Sequence, residues 1–261
     1  MEIVDKCGGC GYTISNHPQW WEPLGPSGLR SGGFFTSMNR VTFLVDGFNL
    51  YRSTVDLHRS RGLRVKWLNI YSLCSSFLHL VGRNSAVAGI YYFSAFAYHL
   101  NDPSIVKRHE KYIECLKSTG IIPEMGRFKA KDVTCPFHNQ LVKTNATNIE
   151  CPIRGKFTKH EEKETDVAIA AKLFEIMSEN KCDTAVLVTG DTDLSPAVET
   201  SKRLFPAKSM CFAFPYGRKN HELKTLLPNS FQIHTRSYTQ HLFPNPVTLS
   251  DGTRIYKPLS W

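Results

Sequence analysis

The chain has no apolar run long enough to cross a bilayer. A long uncharged stretch runs from Ser85 up to Asp102, and Ser94, His99 and Asn101 interrupt it. A membrane helix needs about 20 mostly apolar residues, so this stretch reads as a buried strand with its following loop. No secretory signal opens the sequence, which makes a reducing, cytoplasmic setting the expectation. Several chemical fingerprints are missing as well. There is no Gly-x-Gly-x-x-Gly loop for a dinucleotide, and no P-loop, His-Glu-x-x-His pair or Gly-x-Ser-x-Gly elbow. Acidic side chains are scarce relative to basic ones, 23 against 32, for a formal net charge of +9. That surplus suits a polyanionic partner such as nucleic acid.

What is present describes a folded α/β chain. Apolar residues make up 41% and charged residues 21% of the 261 positions, enough for a core and too little charge for wholesale disorder. Of the eight cysteines, Cys74, Cys115, Cys182 and Cys211 lie in apolar or helical patterns and read as buried thiols. Cys7-Gly-Gly-Cys10 has the spacing of half a zinc site, but no second half lies nearby, so it reads as an incidental pair.

Residues 1–38 are rich in Gly, Pro, Ser and Trp without periodicity and read as a loosely ordered leader, with Met38 as an alternative start. A main domain is expected over 39–238, with an irregular basic insert at 129–160. A tail over 239–261, holding Pro244, Pro246 and Pro258, is expected to wrap the surface. Within the domain, Val41–Val45 is a continuous apolar run, as in a strand buried on both faces. Further strands are expected at Val87–Phe93, Ile121–Phe128, Thr184–Thr189 and Met210–Phe214, with a sixth at Phe231–His234. Helices are expected at Trp67–Val81, Pro103–Ser118, Glu161–Asn180, Leu194–Leu204 and Asn220–Leu227. In the third of these Val167, Ala170, Ala171, Phe174 and Met177 form one face, and Thr165 is the expected N-cap. Strands alternating with helices imply a mostly parallel five- or six-stranded sheet covered on both faces.

Ligands of such sheets bind beyond the carboxyl ends of the strands. Asp46-Gly-Phe-Asn49 follows the first strand, Gly190-Asp-Thr-Asp193 follows the fourth, and Asp166 opens the long helix. Taken singly, these acids suit turns, caps or a helix dipole. Together they bring carboxylates from separate segments to one edge, where mutual repulsion forces a pKa upward unless a cation intervenes. Mg²⁺ or Mn²⁺, with its preference for oxygen ligands, resolves that conflict. It also supplies an activated water for phosphodiester hydrolysis.

Three blocks carry a resemblance: Val45-Asp-Gly-Phe-Asn-Leu-Tyr51, Lys163-Glu-Thr-Asp-Val-Ala-Ile169 and Leu187-Val-Thr-Gly-Asp-Thr-Asp-Leu194. In order and spacing they resemble the NYN domain family, a LabA/DUF88-like branch of the PIN-like nucleases, over roughly residues 39–234. The resemblance implies a PIN-like three-layer α/β/α domain and metal-dependent ribonuclease chemistry. On the matching positions, it implies that Asp46, Asp166 and Asp191 are the metal-site acids, with Asp193 an additional ligand or water-positioning acid. Asn49 would orient a ligand or substrate beside Asp46. Glu164 has two readings, a site neighbour or a solvated helix-start acid.

The insert holds Cys135-Pro-Phe-His138, Cys151-Pro-Ile-Arg154 and His160. Cys135, His138, Cys151 and His160 make a candidate structural zinc set resembling a ribbon with an imperfect second knuckle. An open loop with free cysteines is the other reading. Among the basic residues near the expected site, Arg127, Lys129, Lys163, Arg218 and Lys219 are candidates for phosphate contact. Tyr51, Phe128, Phe157 and Tyr216 are candidates for stacking on unpaired bases. RNA, single-stranded or structured, is the expected partner, with homodimerisation left open. The resemblance also implies a hydroxylase of a pyridine-type compound using NADH, which stands well behind the nuclease because no dinucleotide loop is present; an RNA-binding regulatory module with little catalysis is the other alternative.

Overall fold

The computed structural model describes residues 38–100, 102–134 and 156–261. The apolar run near the start forms β1 (Asn39–Asp46), in which Val41, Phe43, Leu44 and Val45 are at most 1% exposed. Burying each of these side chains is worth roughly 1.5–3 kcal/mol, and no charged residue in the run opposes a doubly covered strand until Asp46.

Asp46 then caps α1 (Gly47–Arg61), a helix that the sequence reading leaves unassigned. Its polar outer face hides the apolar stripe of Leu50 and Leu57, but His58, Arg59 and Arg61 in its last turn complement the helix dipole. The helix expected at Trp67–Val81 is two short ones, α2 (Ile70–Ser75) and α3 (Leu78–Val81). The N-cap of α2 is Asn69, whose side chain accepts from the Ser72 N–H, so the first turn starts three residues late.

The chain continues through β2 (Ser85–Ala95), α4 (Pro103–Ser118) and β3 (Ile122–Thr134). It resumes with β4 (Lys156–Lys163), α5 (Thr165–Ser178), β5 (Thr184–Val188) and, after a short 3₁₀ turn at Thr192–Leu194, α6 (Ser195–Leu204). There follow β6 (Ser209–Phe214), α7 (His221–Leu226), β7 (Phe231–Gln232), α8 (Thr235–Gln240), β8 (Val247–Thr248) and β9 (Arg254–Ile255).

The main sheet has seven strands in the order β4-β3-β2-β1-β5-β6-β7, one or two more than expected. All neighbours are parallel except β3 and β4, which form an antiparallel ladder from Arg127 opposite Lys163 to Thr134 opposite Lys156. Most of this ladder occupies positions expected to be irregular. Their charges hide the pattern, because an edge hairpin need not alternate apolar with polar residues.

Alternate residues of β1 feed two cores. Val41, Phe43 and Val45 join α1, α2, α4 and the C-terminal segment. Leu44 joins α5, α6 and α7. The fold is therefore a three-layer α/β/α arrangement. The C-terminal segment does more than wrap the surface. Phe243, Val247 and Ile255 are buried, and the Trp261 ring stands edge-on to Trp67 at 6.0 Å between centroids.

Within α5 the inward face is Ile169, Leu173, Ile176 and Met177, and Val167 is 73% exposed. The helix carries apolar residues nearly all round, so two stripes compete in the sequence, and packing selects the one with larger side chains. Thr165 is the first helical residue rather than the cap. Glu164 holds the cap position with φ of 79°. Cys74, Cys115, Cys182 and Cys211 are buried free thiols, as expected. Cys7, Cys10, Cys135, His138 and Cys151 lie outside the described residues. Among the described residues no helix is long and apolar enough to cross a membrane.

Candidate metal centre

Strand order reverses beside β1: β2, β3 and β4 build outward on one side, β5, β6 and β7 on the other. The crevice beyond the carboxyl ends of β1 and β5 is therefore the topological switch point, where ligands of open α/β sheets bind. Asp46 ends β1, and Asp191 stands three residues past β5. Asp46 follows Leu44 in the alternation and so faces α5, whose first turn carries Asp166.

One carboxylate oxygen from each of Asp46, Asp166 and Asp191 lies within 4.8 Å of the other two. Asp46 is 4% exposed and fully engaged. Its Oδ1 accepts from the Asn49 N–H at 2.9 Å, and its Oδ2 accepts from the Thr189 hydroxyl at 2.9 Å. The Thr189 oxygen in turn accepts the Asp191 N–H at 3.1 Å. Asp191 caps the 3₁₀ turn by accepting the Asp193 N–H at 3.1 Å. Asn49 accepts the Gly190 N–H at 3.2 Å, linking the start of α1 to the loop after β5.

Electrostatics mark the cluster. Burial pushes the Asp46 carboxyl up to about 6, the charges of Asp166 and Asp191 push the same way, and its two hydrogen bonds pull it down. Asp166 is also raised, by burial first and then by Asp191 and Asp193. Both shifts arise from burial and from the neighbouring acids, so the carboxylates raise one another's pKa.

The structure thus brings together Asp46, Asp166 and Asp191. Asp193 is exposed and outside the three-oxygen group, though its charge reaches Asp166. Asn49 serves as a loop tie. The hairpin base puts Arg127 opposite Lys163, just before Asp166 in the chain, and Arg127 is paired with Glu164 at 2.5 Å. Arg218 is paired with Asp56 at 2.6 Å, while Lys129 and Lys219 are exposed. Tyr51 is 45% exposed beneath the Lys66 ammonium, 5.3 Å from its ring centre. His160 stacks on His99 at 4.4 Å.

Thr189, at 1% exposure, is the residue that the sequence reading misses. Its signal is a hydroxyl directly after the apolar run Ala185–Val188, where a buried polar group needs a partner.

No match is found among curated proteins. A solved structure of a protein of unknown function from Vibrio parahaemolyticus RIMD 2210633 is similar at 19% identity, over 76% of this chain and 94% of that one, with a TM-score of 0.45. The NYN domain family model matches residues 40–223. That span runs from β1 into α7 and takes in all three clustered acids, Thr189 and Asn49. The chain belongs to the NYN domain family, a family of PIN-like nucleases.

Proposed function

We propose that the protein is a metal-dependent endoribonuclease that hydrolyses RNA phosphodiester bonds at the Asp46–Asp166–Asp191 cluster. The observation that carries this reading is the convergence of three carboxylate oxygens, from three separate segments, within 4.8 Å. Membership of a nuclease family supports it.

The donor set fits Mg²⁺ or Mn²⁺, because all three groups offer hard oxygen ligands and no thiolate or imidazole joins them among the described residues. A divalent cation bound there would supply an acidified water and offset negative charge on the phosphate.

The protein's own residues provide the positioning. Thr189 and the Asn49 N–H fix both oxygens of Asp46, so this ligand loses little freedom when it binds. Asp166 is held by the helix start and Asp191 by its capping bond. Asp193, exposed beside them, can orient a water. Arg127 and Lys163 at the hairpin base would hold the flanking phosphates, Arg127 exchanging Glu164 for the nucleic acid. Lys129 and Lys219 extend the basic surface, and the net charge of +9 draws RNA toward it.

The test is incubation of single-stranded RNA and DNA with the protein, with and without Mn²⁺ and chelator. Metal-stimulated cleavage of RNA is expected, and Asp46→Asn and Asp191→Asn should each reduce it by about 100-fold or more. Undiminished cleavage by both variants overturns the proposal.

A further inference from the structure

The acids occupy one face of the sheet end. On the other face lies a cavity of about 810 Å³, between α1, α4 and the β3–β4 hairpin. Its lining begins at Gly47, the residue after Asp46. Nothing in the acid cluster uses it.

One wall is a continuous run of flat groups. The Arg52 guanidinium lies 5.5 Å from the centre of the Phe48 ring. Phe48 meets Phe128 at 5.8 Å, Phe128 meets His99 at 4.5 Å, and His99 stacks on His160 at 4.4 Å with 12° between their planes. Four chain segments contribute to this wall, so it is assembled by the tertiary fold. Each ring is only partly buried. The His99 Nδ1 is buried and has no hydrogen-bond partner among the described residues.

The charged side chains of the cavity are all cationic: Arg52, Lys66, Arg108 and Lys159 line it, and no Asp or Glu side chain does among the described residues. A purely apolar ligand gives no reason for four cations, and an ammonium ligand would be repelled by them. A planar ring joined to a phosphate satisfies both the wall and the charge. The volume lies within the roughly 300–1,000 Å³ typical of such sites.

We infer that this cavity receives an unpaired base of the RNA, turned off the strand next to the phosphate held at the Asp46 cluster. The choice of ligand rests on the ribonuclease reading. Stacking on Phe128 and His99 holds the base face, and the cations hold its phosphate. Every base has a π-face, so this mode selects single-stranded RNA without reading much sequence.

The experiment is metal-free binding, in chelator, of a fluorescein-labelled single-stranded RNA hexamer and of an abasic hexamer with the same backbone. The base-bearing strand should bind about 5- to 150-fold more tightly, the range expected for one stacked base. His99→Ala and Phe128→Ala should each remove most of that difference while leaving abasic binding nearly unchanged, and Arg52→Ala should weaken both strands alike. Melting curves identify any variant that fails to fold, and three variants on different segments keep the test intact. Equal affinity for the two strands, or no binding of either, overturns the inference. A protein that discriminates the strands yet never cuts RNA with any divalent metal keeps the cavity assignment and loses the nuclease reading. One that cuts RNA with no such discrimination does the reverse.

Discussion

Thr189 donates a hydrogen bond of 2.9 Å to Oδ2 of Asp46, with both side chains all but closed to solvent. Because the same hydroxyl oxygen accepts the Asp191 N–H, one side chain ties the acid ending β1 to the acid beyond β5. Thr189→Val keeps the shape and removes the tie. It strands a buried carboxylate oxygen and a backbone N–H, which costs about 1–3 kcal/mol. Losing a donor also pushes the Asp46 carboxyl further up, so the acid limb of the cleavage profile should move to higher pH. Thr189→Ser should restore both. A valine variant with the wild-type acid limb would show that Asp46 is held by something else.

Legibility from the sequence follows charge and burial. β1, β5 and β6 are visible because the middle of a doubly covered strand must be apolar, and the acids stand out as the first charged residues beyond the apolar runs of β1 and β5. The hairpin arms at Lys129–Thr134 and Lys156–Lys163 are not visible, since their pairing is made by backbone bonds that place no demand on side-chain polarity. α1 is hidden because Asp46 and Gly47 read as a turn, although Asp46 is both the helix cap and a member of the cluster. The inward face of α5 differs from the expected one because periodicity alone cannot rank two apolar stripes on one helix. Of the cavity wall the sequence singles out Phe128 as a stacking group, while His99 and His160 lie on segments that only the fold brings together.

Two acids should give the metal-free protein opposing pH dependences. Asp46 titrates near 6 in the folded chain against an ordinary value of 3.8. A raised carboxyl pKa stabilises the fold fully below the unfolded value, and that contribution disappears as pH climbs through about 6. The loss is on the order of 3 kcal/mol. Asp183 runs the other way. The Arg40 guanidinium grips it through bonds of 3.0 and 2.9 Å and holds it well below the usual carboxylate range. Its contribution is present above the unfolded value and lost on acidification. It is about 1 kcal/mol at most, since both partners are more than a third exposed. Urea midpoints in chelator, wild type against Asp46→Asn, isolate the first effect: the wild-type advantage should shrink between about pH 4 and 7. An advantage that grows over that range contradicts the assignment. Saturating Mn²⁺ should cancel the trend by favouring the deprotonated carboxylate.

Arg127 is mostly exposed and its partner Glu164 competes with any phosphate for it. Arg127→Ala should weaken binding of single-stranded RNA of every sequence alike and lower the salt slope by about 0.7. Glu164→Gln should do the opposite, tightening binding at low salt by removing the competitor. Titrations at three salt concentrations read both effects. An unchanged slope in the alanine variant would take Arg127 out of the interface.

Gly190 and Gly62 separate two reasons for a glycine. A Cβ at Gly190 would lie 2.0 Å from the Arg218 carbonyl oxygen, and backbone cannot swing aside as a flexible side chain can. Gly190→Ala must therefore push the loop after β5 away from the loop after β6, carrying Asp191 with it. The overpacking costs about 1–3 kcal/mol. A displacement near 1 Å at Asp191 would lower cleavage by about 100-fold. Gly62 closes α1 in the left-handed region, with φ of 68°, and a Cβ added there would meet nothing within 4 Å. Gly62→Ala should cost about 1 kcal/mol from backbone strain alone and leave cleavage untouched, since it lies at the far end of the helix from Asp46. Melting temperatures and cleavage rates of the two variants decide the matter together. If both lose stability and only Gly190→Ala loses activity, the close approach of the two loops is what places Asp191. Equal activity losses would instead mean that α1 transmits strain to the cluster along its whole length.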